Sequence, residues 1–244
     1  MEEIQIKQGK NKALVIISGG LDSSTLLAVV SELLGYEEIE AVSFLYGQRH
    51  SKELAFAAKQ CRDRGVNHTV IDIGAIGLSL DSSLTQMDQE VPEGHYEAES
   101  MKATVVPNRN AIMLAIAWGI AQSKGCSVVA IGAHAGDHAI YPDGREEFMD
   151  AAQKAFNLGT DDQITLLAPF IQSSKADIAR DAYELNVDVA NTWSCYKGGE
   201  FHCGKCGTCV ERKGAFLLAQ VTDPTIYEDS SFGVEHLLES QPEG

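Results

Sequence analysis

Residues 13–25 read ALVIISGGLDSST, and the fold of the whole chain turns on how this stretch is read. Ala13 to Ile17 are apolar without interruption and rich in β-branched types, which predicts a strand buried on both faces, as in a parallel sheet. Ser18-Gly19-Gly20 then forces a tight turn, because glycine enters positive φ cheaply and lets a ligand approach the backbone. Asp22, Ser23 and Ser24 are of the acid and hydroxyl types that cap helix starts, and Leu26, Leu27, Val29, Val30 and Leu33 carry the helix onward. A strand, a glycine turn and a helix N-terminus in succession make an anion site, with free N–H groups and the helix dipole aimed at one point. An ordinary βα turn uses the same glycines; the acid and hydroxyls at its mouth favour phosphate. No Gly-Lys-Ser/Thr closes the turn, so it is not a Walker loop. The Gly-x-Gly-x-x-Gly spacing of a dinucleotide site is absent as well.

Working outward, residues 39–45 form a second strand that ends in Tyr46-Gly47-Gln48-Arg49-His50. Residues 51–64 read as a helix, with Ser51 as its cap and Leu54, Ala57, Ala58 and Cys61 on one face. Strands follow at 68–73, 127–132 and 164–167, and helices at 110–123, at 145–157 and from Ser173 to about Leu185. Alternation of this kind predicts an α/β fold with a doubly wound parallel sheet, whose ligand lies beyond the carboxyl ends of the strands. Ser18–Ser24, Tyr46–His50, the loop holding His134 and Asp137, and the Tyr141-Pro142-Asp143-Gly144 turn all fall on that rim. Residues 74–104 break the pattern with Gly, Ser, Asp and Glu and little periodicity; a lid, an interface or disorder would each suit them.

The bulk numbers set limits. With 44% hydrophobic and 22% charged residues, the 244-residue chain has ample material for a core. Its length suits one large domain, taken as 1–185, followed by a smaller region, 186–244. Lys and Arg number 19 against 35 Asp and Glu, a net charge of −16. Such a surface repels phosphate backbones and argues against a nucleic-acid partner. No run of 18 apolar residues suggests a membrane span, and the acidic Met1-Glu2-Glu3-Ile4 lacks the apolar core of a signal, so a cytoplasmic location is expected.

Cys61 and Cys126 stand alone in apolar surroundings and read as core residues. Cys195, Cys203, Cys206 and Cys209 crowd into C-x7-C-x2-C-x2-C, which in a cytosolic protein reads as metal rather than disulfides. Two-residue gaps let successive thiolates turn toward one ion, and four soft ligands with no open position suit structural Zn²⁺ at about 2.3 Å. An iron–sulfur cluster would use the same residue type. Glycines 204 and 207 give the turns, Lys205 can offset the negative charge of a tetrathiolate, and His202 reads as a bystander.

The string SGGLDSS resembles the PP-loop of the N-type ATP pyrophosphatases, the adenine nucleotide alpha hydrolase-like fold, whose members cleave ATP between the α- and β-phosphates. With YGQRHS (46–51), VPNRN (106–110), YPDGREEF (141–148), NTWSCYKGG (191–199) and HCGKCGTCVERKG (202–214) in that order, the chain is similar to the 7-cyano-7-deazaguanine synthase (QueC) family over residues 13–215. The resemblance implies an ATP-dependent ligase of queuosine biosynthesis. It would convert 7-carboxy-7-deazaguanine and ammonia to the 7-cyano product through an adenylated carboxylate and an amide. Mg²⁺ would accompany ATP, the zinc would be structural, and the protein would be a homodimer.

The resemblance also suggests roles. Ser18, Gly19, Gly20, Leu21, Asp22, Ser23, Ser24 and Thr25 would bind ATP, with Asp22 near Mg²⁺. Asp22, Lys175 and Arg109 would be catalytic, Lys175 matching the phosphate-binding lysine of PP-loop relatives. Arg49, Asn108, Arg109, Asn110, His134, Asp137, Tyr141 and Asp143 would meet the substrate, the arginines gripping planar anions with their forked donors. Plainer readings exist: Lys175 as a solvated lysine, Asn108 as a helix cap, YPDG as a β-turn. Two positions depart from the family pattern, Gly144 where many members have Cys, and Asn108 where many have Gly. These leave a branch that stops at the amide, or conjugates the activated deazaguanine to another amine, as an alternative; a PP-loop tRNA-modifying enzyme, such as the thiolases that carry iron–sulfur clusters, is a further one.

Overall fold

The structure is a computed structural model that describes residues 12–49, 51–86, 88–96 and 98–235. His50, read above as part of the rim, and the acidic Met1–Ile4 stretch lie outside the described residues. Five parallel strands form one sheet: β1 (Lys12–Ile16), β2 (Glu38–Leu45), β3 (Asn67–Asp72), β4 (Val128–Ala130) and β5 (Thr165–Leu167). Their spatial order is β3-β2-β1-β4-β5. The chain therefore builds outward from β1 in one direction, then crosses back to build β4 and β5 on the other side. At this reversal the connections leave β1 and β4 on opposite faces, and a crevice opens at their carboxyl ends.

Strand alternation sorts the core into two layers. Leu14, Ile16, Val42, Phe44 and Val129 face one side, packed by Leu114, Ala117 and Trp118 of α4 (Arg109–Lys124) and Met149 and Ala152 of α5 (Glu146–Leu158). Ala13, Val15, Ala41, Val128 and Ala130 face the other. They are covered by α1 (Leu21–Ala28), α2 (Glu53–Asp63), α6 (Lys175–Glu184) and α7 (Gly207–Ala219). β1 carries apolar residues on both faces because both layers of helices rest on it. Cys61 and Cys126 are buried in these layers as expected.

The glycine turn differs in detail from the capping expectation. Gly20 is the N-cap of α1 and no side chain caps the helix. The Ser23 hydroxyl turns back instead, accepting from the Ser18 amide at 3.0 Å and donating to the Gly20 carbonyl at 3.4 Å. After Ala28 the helix widens into a π-turn over Val29–Leu33. Ser51 likewise supplies no side-chain cap: α2 begins after Lys52, whose backbone is already helical. Ser174 does cap α6, reciprocally with Asp177.

Residues 74–104 are a wall pinned at several points. They begin with a single turn, α3 (Gly74–Gly77), and end in a 3₁₀ turn over Glu99–Thr104. Both Gln86 and Gln89 offer carbonyls to the Arg49 guanidinium. Further along, Gly94 donates to the Lys205 carbonyl at 2.9 Å and Glu93 bridges to Cys206. These contacts fasten the excursion to the cysteine loop.

The cysteine loop is held in turn by two buried cations of α7. Arg212 donates to Thr192, Ser194 and Thr225 side chains and to the Val189 carbonyl. Lys213 donates to the carbonyls of Gly204, Asp229 and Phe232 at 2.7, 3.1 and 2.8 Å.

At Gly19 the φ is +89°, and a Cβ would stand 2.2 Å from the Glu53 carbonyl oxygen and 2.7 Å from the Ala57 nitrogen. A Gly19→Ala variant must both strain the backbone and push α2 away. Urea unfolding should show a loss of about 2 kcal/mol or more.

Candidate active site

The crevice at the β1/β4 reversal is a cavity of about 210 Å³. The glycine turn forms one end, where Ser18, Gly20, Leu21, Asp22 and Ser23 line it. The first helical bond of the turn runs from the Ser24 amide to the Gly20 carbonyl at 3.1 Å. The amides of Leu21, Asp22 and Ser23 precede it, so they have no intrahelical acceptor. Gly19, Ser24 and Thr25 do not line the cavity. Gly19 gives its carbonyl to the Trp193 amide, Ser24 is buried beneath the turn, and the Thr25 hydroxyl donates to the Leu21 carbonyl at 2.8 Å.

Lys175, the first residue of α6, reaches this end, with Nζ 2.7 Å from Asp22 Oδ2. It is 15% exposed and lines the cavity, so it is no solvated surface lysine. Burial would raise the Asp22 carboxyl, but the charges of Lys175 and His134 pull it below its ordinary value. Asp22 Oδ1 remains buried with no hydrogen-bond partner. His134 is almost fully buried, its Nε2 3.3 Å from Lys175 Nζ and its Nδ1 accepting from the Gly136 amide. Asp137 lines the cavity and accepts from the Tyr96 hydroxyl at 2.9 Å, while His134 stands behind the lining.

The other end is aromatic. Arg109 begins α4 and its guanidinium lies 5.7 Å from the Tyr46 ring and 6.0 Å from the Tyr141 ring, donating to the Tyr46 hydroxyl at 3.3 Å. No carboxylate pairs with it among the described residues. Tyr96, Tyr196 and Trp193 complete the wall. Burial raises the Tyr46, Tyr96 and Tyr196 hydroxyls above their ordinary values, so all three are neutral phenols at pH 7. The Tyr141 hydroxyl is shared with Thr104 at 2.8 Å.

Besides His134, three residues expected at the substrate do not line the cavity: Arg49, Asn108 and Asp143. The guanidinium of Arg49 is spent on the Gln86 and Gln89 carbonyls and does not line the cavity. Asn108 is exposed in a left-handed conformation, φ +52°, and its side chain neither caps α4 nor reaches the cavity. Asp143 is the group that serves the start of α4: its Oδ2 accepts from the Asn110 amide at 2.8 Å. The Asn110 Nδ2 donates in return to the Asp143 carbonyl, and Asn110 itself lines the cavity. Tyr46, Tyr96, Trp193, Tyr196 and Glu211 had no sequence signal beyond lying in or beside recognisable strings, because no periodicity marks residues that converge from loops.

Cys195, Cys203, Cys206 and Cys209 are buried with their sulfurs all within 4.8 Å of one another, and none is in a disulfide. A zinc tetrathiolate with bonds near 2.3 Å places its sulfurs about 3.8 Å apart, and Cys203 Sγ lies 4.0 Å from Cys209 Sγ. Backbone amides of Lys205 and Cys206 point at Cys203 Sγ, both at 3.3 Å, the pattern that supports thiolate charge. The donor set fits a single metal ion. The same loop supplies Trp193, Ser194, Tyr196 and Thr208 to the cavity.

The fold and cavity thus define an α/β protein whose candidate site sits at a glycine turn and helix N-terminus. Residues 12–220 match the family described as "Queuosine biosynthesis protein QueC", and the chain belongs to that family. It is 54% identical over 228 residues to a 7-cyano-7-deazaguanine synthase of Rhizobium rhizogenes, covering 91% of this chain and 94% of the relative. A protein of the same name from Brucella anthropi is 54% identical over 225 residues, covering 91% and 95%. Among solved structures, an NMN synthetase from Francisella tularensis superposes with a TM-score of 0.49 at 14% identity, covering 94% of this chain and 83% of that one. No helix among the described residues is long and apolar enough to cross a membrane.

Replacing Asp143 by Ala removes the acceptor at the first turn of α4. The expected loss is about 1–2 kcal/mol in urea-induced unfolding, with Asp143→Asn losing less because its amide oxygen still accepts.

Proposed function

We propose that this chain converts 7-carboxy-7-deazaguanine, ammonia and ATP to 7-cyano-7-deazaguanine, the activity for which its relatives are named. The observation that carries this reading is the pairing, across one cavity, of an unneutralised Arg109 with a glycine turn flanked by Lys175. One end suits a planar carboxylate, the other a polyphosphate.

In this reading the ATP phosphates lie against the amides of Leu21, Asp22 and Ser23 and the Lys175 ammonium. Arg109 orients the substrate carboxylate while Tyr96, Tyr141, Tyr196 and Trp193 enclose the flat ring. Asn110 has its Nδ2 committed to Asp143, so its Oδ1 is left to accept from a ring N–H or amine. A carboxylate oxygen attacks the α-phosphorus and pyrophosphate leaves, giving an acyl adenylate. Ammonia then displaces AMP to give the amide. The amide oxygen attacks the α-phosphorus of a second ATP, pyrophosphate leaves, and departure of AMP with loss of both amide protons gives the nitrile. Lys175 stabilises charge developing on the phosphate oxygens in each transfer. Mg²⁺ fits at Asp22 Oδ1, the buried oxygen without a protein partner, and would supply further neutralisation of phosphate charge there.

We also assign structural zinc to the four cysteines. Metal analysis of the purified protein should find about one zinc per chain and no iron, and Cys206→Ser should lose the metal and melt at lower temperature. Iron and colour in the native protein would replace zinc by an iron–sulfur cluster.

Incubation with ATP, ammonia and the carboxydeazaguanine should yield the nitrile by mass. Omitting ammonia should abolish both amide and nitrile. Amide as the end product would assign the chain to the branch that stops there, consistent with Gly144 in the place of a thiol. Lys175→Met should slow pyrophosphate release on the order of a hundredfold. Arg109→Lys, which keeps the charge but loses the fork, should raise KM for the deazapurine about tenfold with a smaller change in kcat.

A further inference from the structure

Lys175 has more than one acid at its head. Asp22 reaches it from α1 at 2.7 Å, and Glu211 reaches it from the second turn of α7, with Oε2 3.3 Å from Nζ. The geometry of the second contact is that of an ion pair rather than a hydrogen bond, and Glu211 Oε2 has no hydrogen-bond partner despite being buried. Glu211 is only 11% exposed, and its Oε1 packs beside Gly136, 3.1 Å from where a Cβ would stand. A carboxylate brought this deep is costly unless a cation meets it, and Lys175 is the cation that does. His134 and Asp137 are the other ionisable groups facing the ammonium.

An ammonium on a four-carbon stem needs more than one partner to hold a single position. With Asp22 alone, the single 2.7 Å contact would leave the ammonium free to swing about that acid. We propose that Glu211 is a positioning residue: contacting Nζ from α7 as Asp22 does from α1, it keeps the ammonium at the cavity wall, poised for phosphate oxygens. The inference rests on the role given to Lys175 above. It also ties the metal-bearing helix to the nucleotide end of the cavity, since Glu211 follows Cys209 by two residues.

The test is a double-mutant cycle with two further readouts. Glu211→Gln should lower kcat for pyrophosphate release about tenfold to a hundredfold, as displacement of a reacting group by about 1 Å does. In a Lys175→Met background the same change should cost less than about twofold, because Glu211 acts through the lysine. Zinc content and melting temperature of Glu211→Gln should match the parent, which a merely structural role would not allow. Glu211→Met, of similar volume and apolar, serves if the glutamine variant does not fold, and should show the same loss. Parental kcat in Glu211→Gln, an equal loss in both backgrounds, or loss of zinc would each overturn the proposal. If the parent chain releases no pyrophosphate, the functional reading fails. A crystal structure of Glu211→Gln then decides this one, with displacement of Lys175 Nζ by more than about 0.5 Å expected and an unmoved Nζ overturning it.

Discussion

The ion pair between Asp22 and Lys175 is the contact on which the site depends. It joins the first turn of α1 to the first residue of α6, two helices that start at opposite sides of the sheet reversal. Largely buried ion pairs gain little net stability, because desolvation consumes most of the Coulomb attraction. What such a pair does achieve is placement. An ammonium anchored by acids from neighbouring helices stands at the helix N-terminus where polyphosphate is already favoured by unpaired amides and the dipole. The glycine turn could not approach so closely without Gly19, whose missing side chain lets α2 press its Glu53 carbonyl against the loop.

The cysteine loop does more than bind an ion. Trp193, Ser194, Tyr196 and Thr208 alternate with its cysteines and face the cavity, while Lys205 and Cys206 pair with the 74–104 excursion. A metal at the four thiols would therefore fix the aromatic wall and, through Gly94 and Glu93, the position of Tyr96 as well. Arg212 extends the same arrangement downward by tying α7 to the segment at 189–194.

The parallel sheet, the glycine turn and the four-cysteine cluster were legible in the sequence, because each rests on a local rule: an unbroken apolar run, a positive φ, a spacing of thiols. Lys175 was legible only by resemblance. What could not be read was which polar groups would be consumed locally. Asp143 sits in a turn string that invites a substrate role, yet it binds the Asn110 amide; Arg49 looks like an anion clamp, yet it binds the Gln86 and Gln89 carbonyls. Such outcomes depend on elements far apart in the chain, so no window of sequence contains them. Of the aromatic wall only Tyr141 was given a substrate role from sequence; Tyr46, Tyr96 and Tyr196 escaped for the same reason, arriving from three separate connections.

The ammonium of Lys213, enclosed by three carbonyls, bears on where the folded unit ends. Two of those carbonyls, at Asp229 and Phe232, lie past the last residue that matches the family, and Thr225 meets Arg212 from the same stretch. The family match thus stops at 220 while the packed structure runs on to at least Val234, which is itself buried. The segment past 220 is part of the scaffold around the thiol cluster, and it acts through main-chain oxygens that almost any side chain would leave in place.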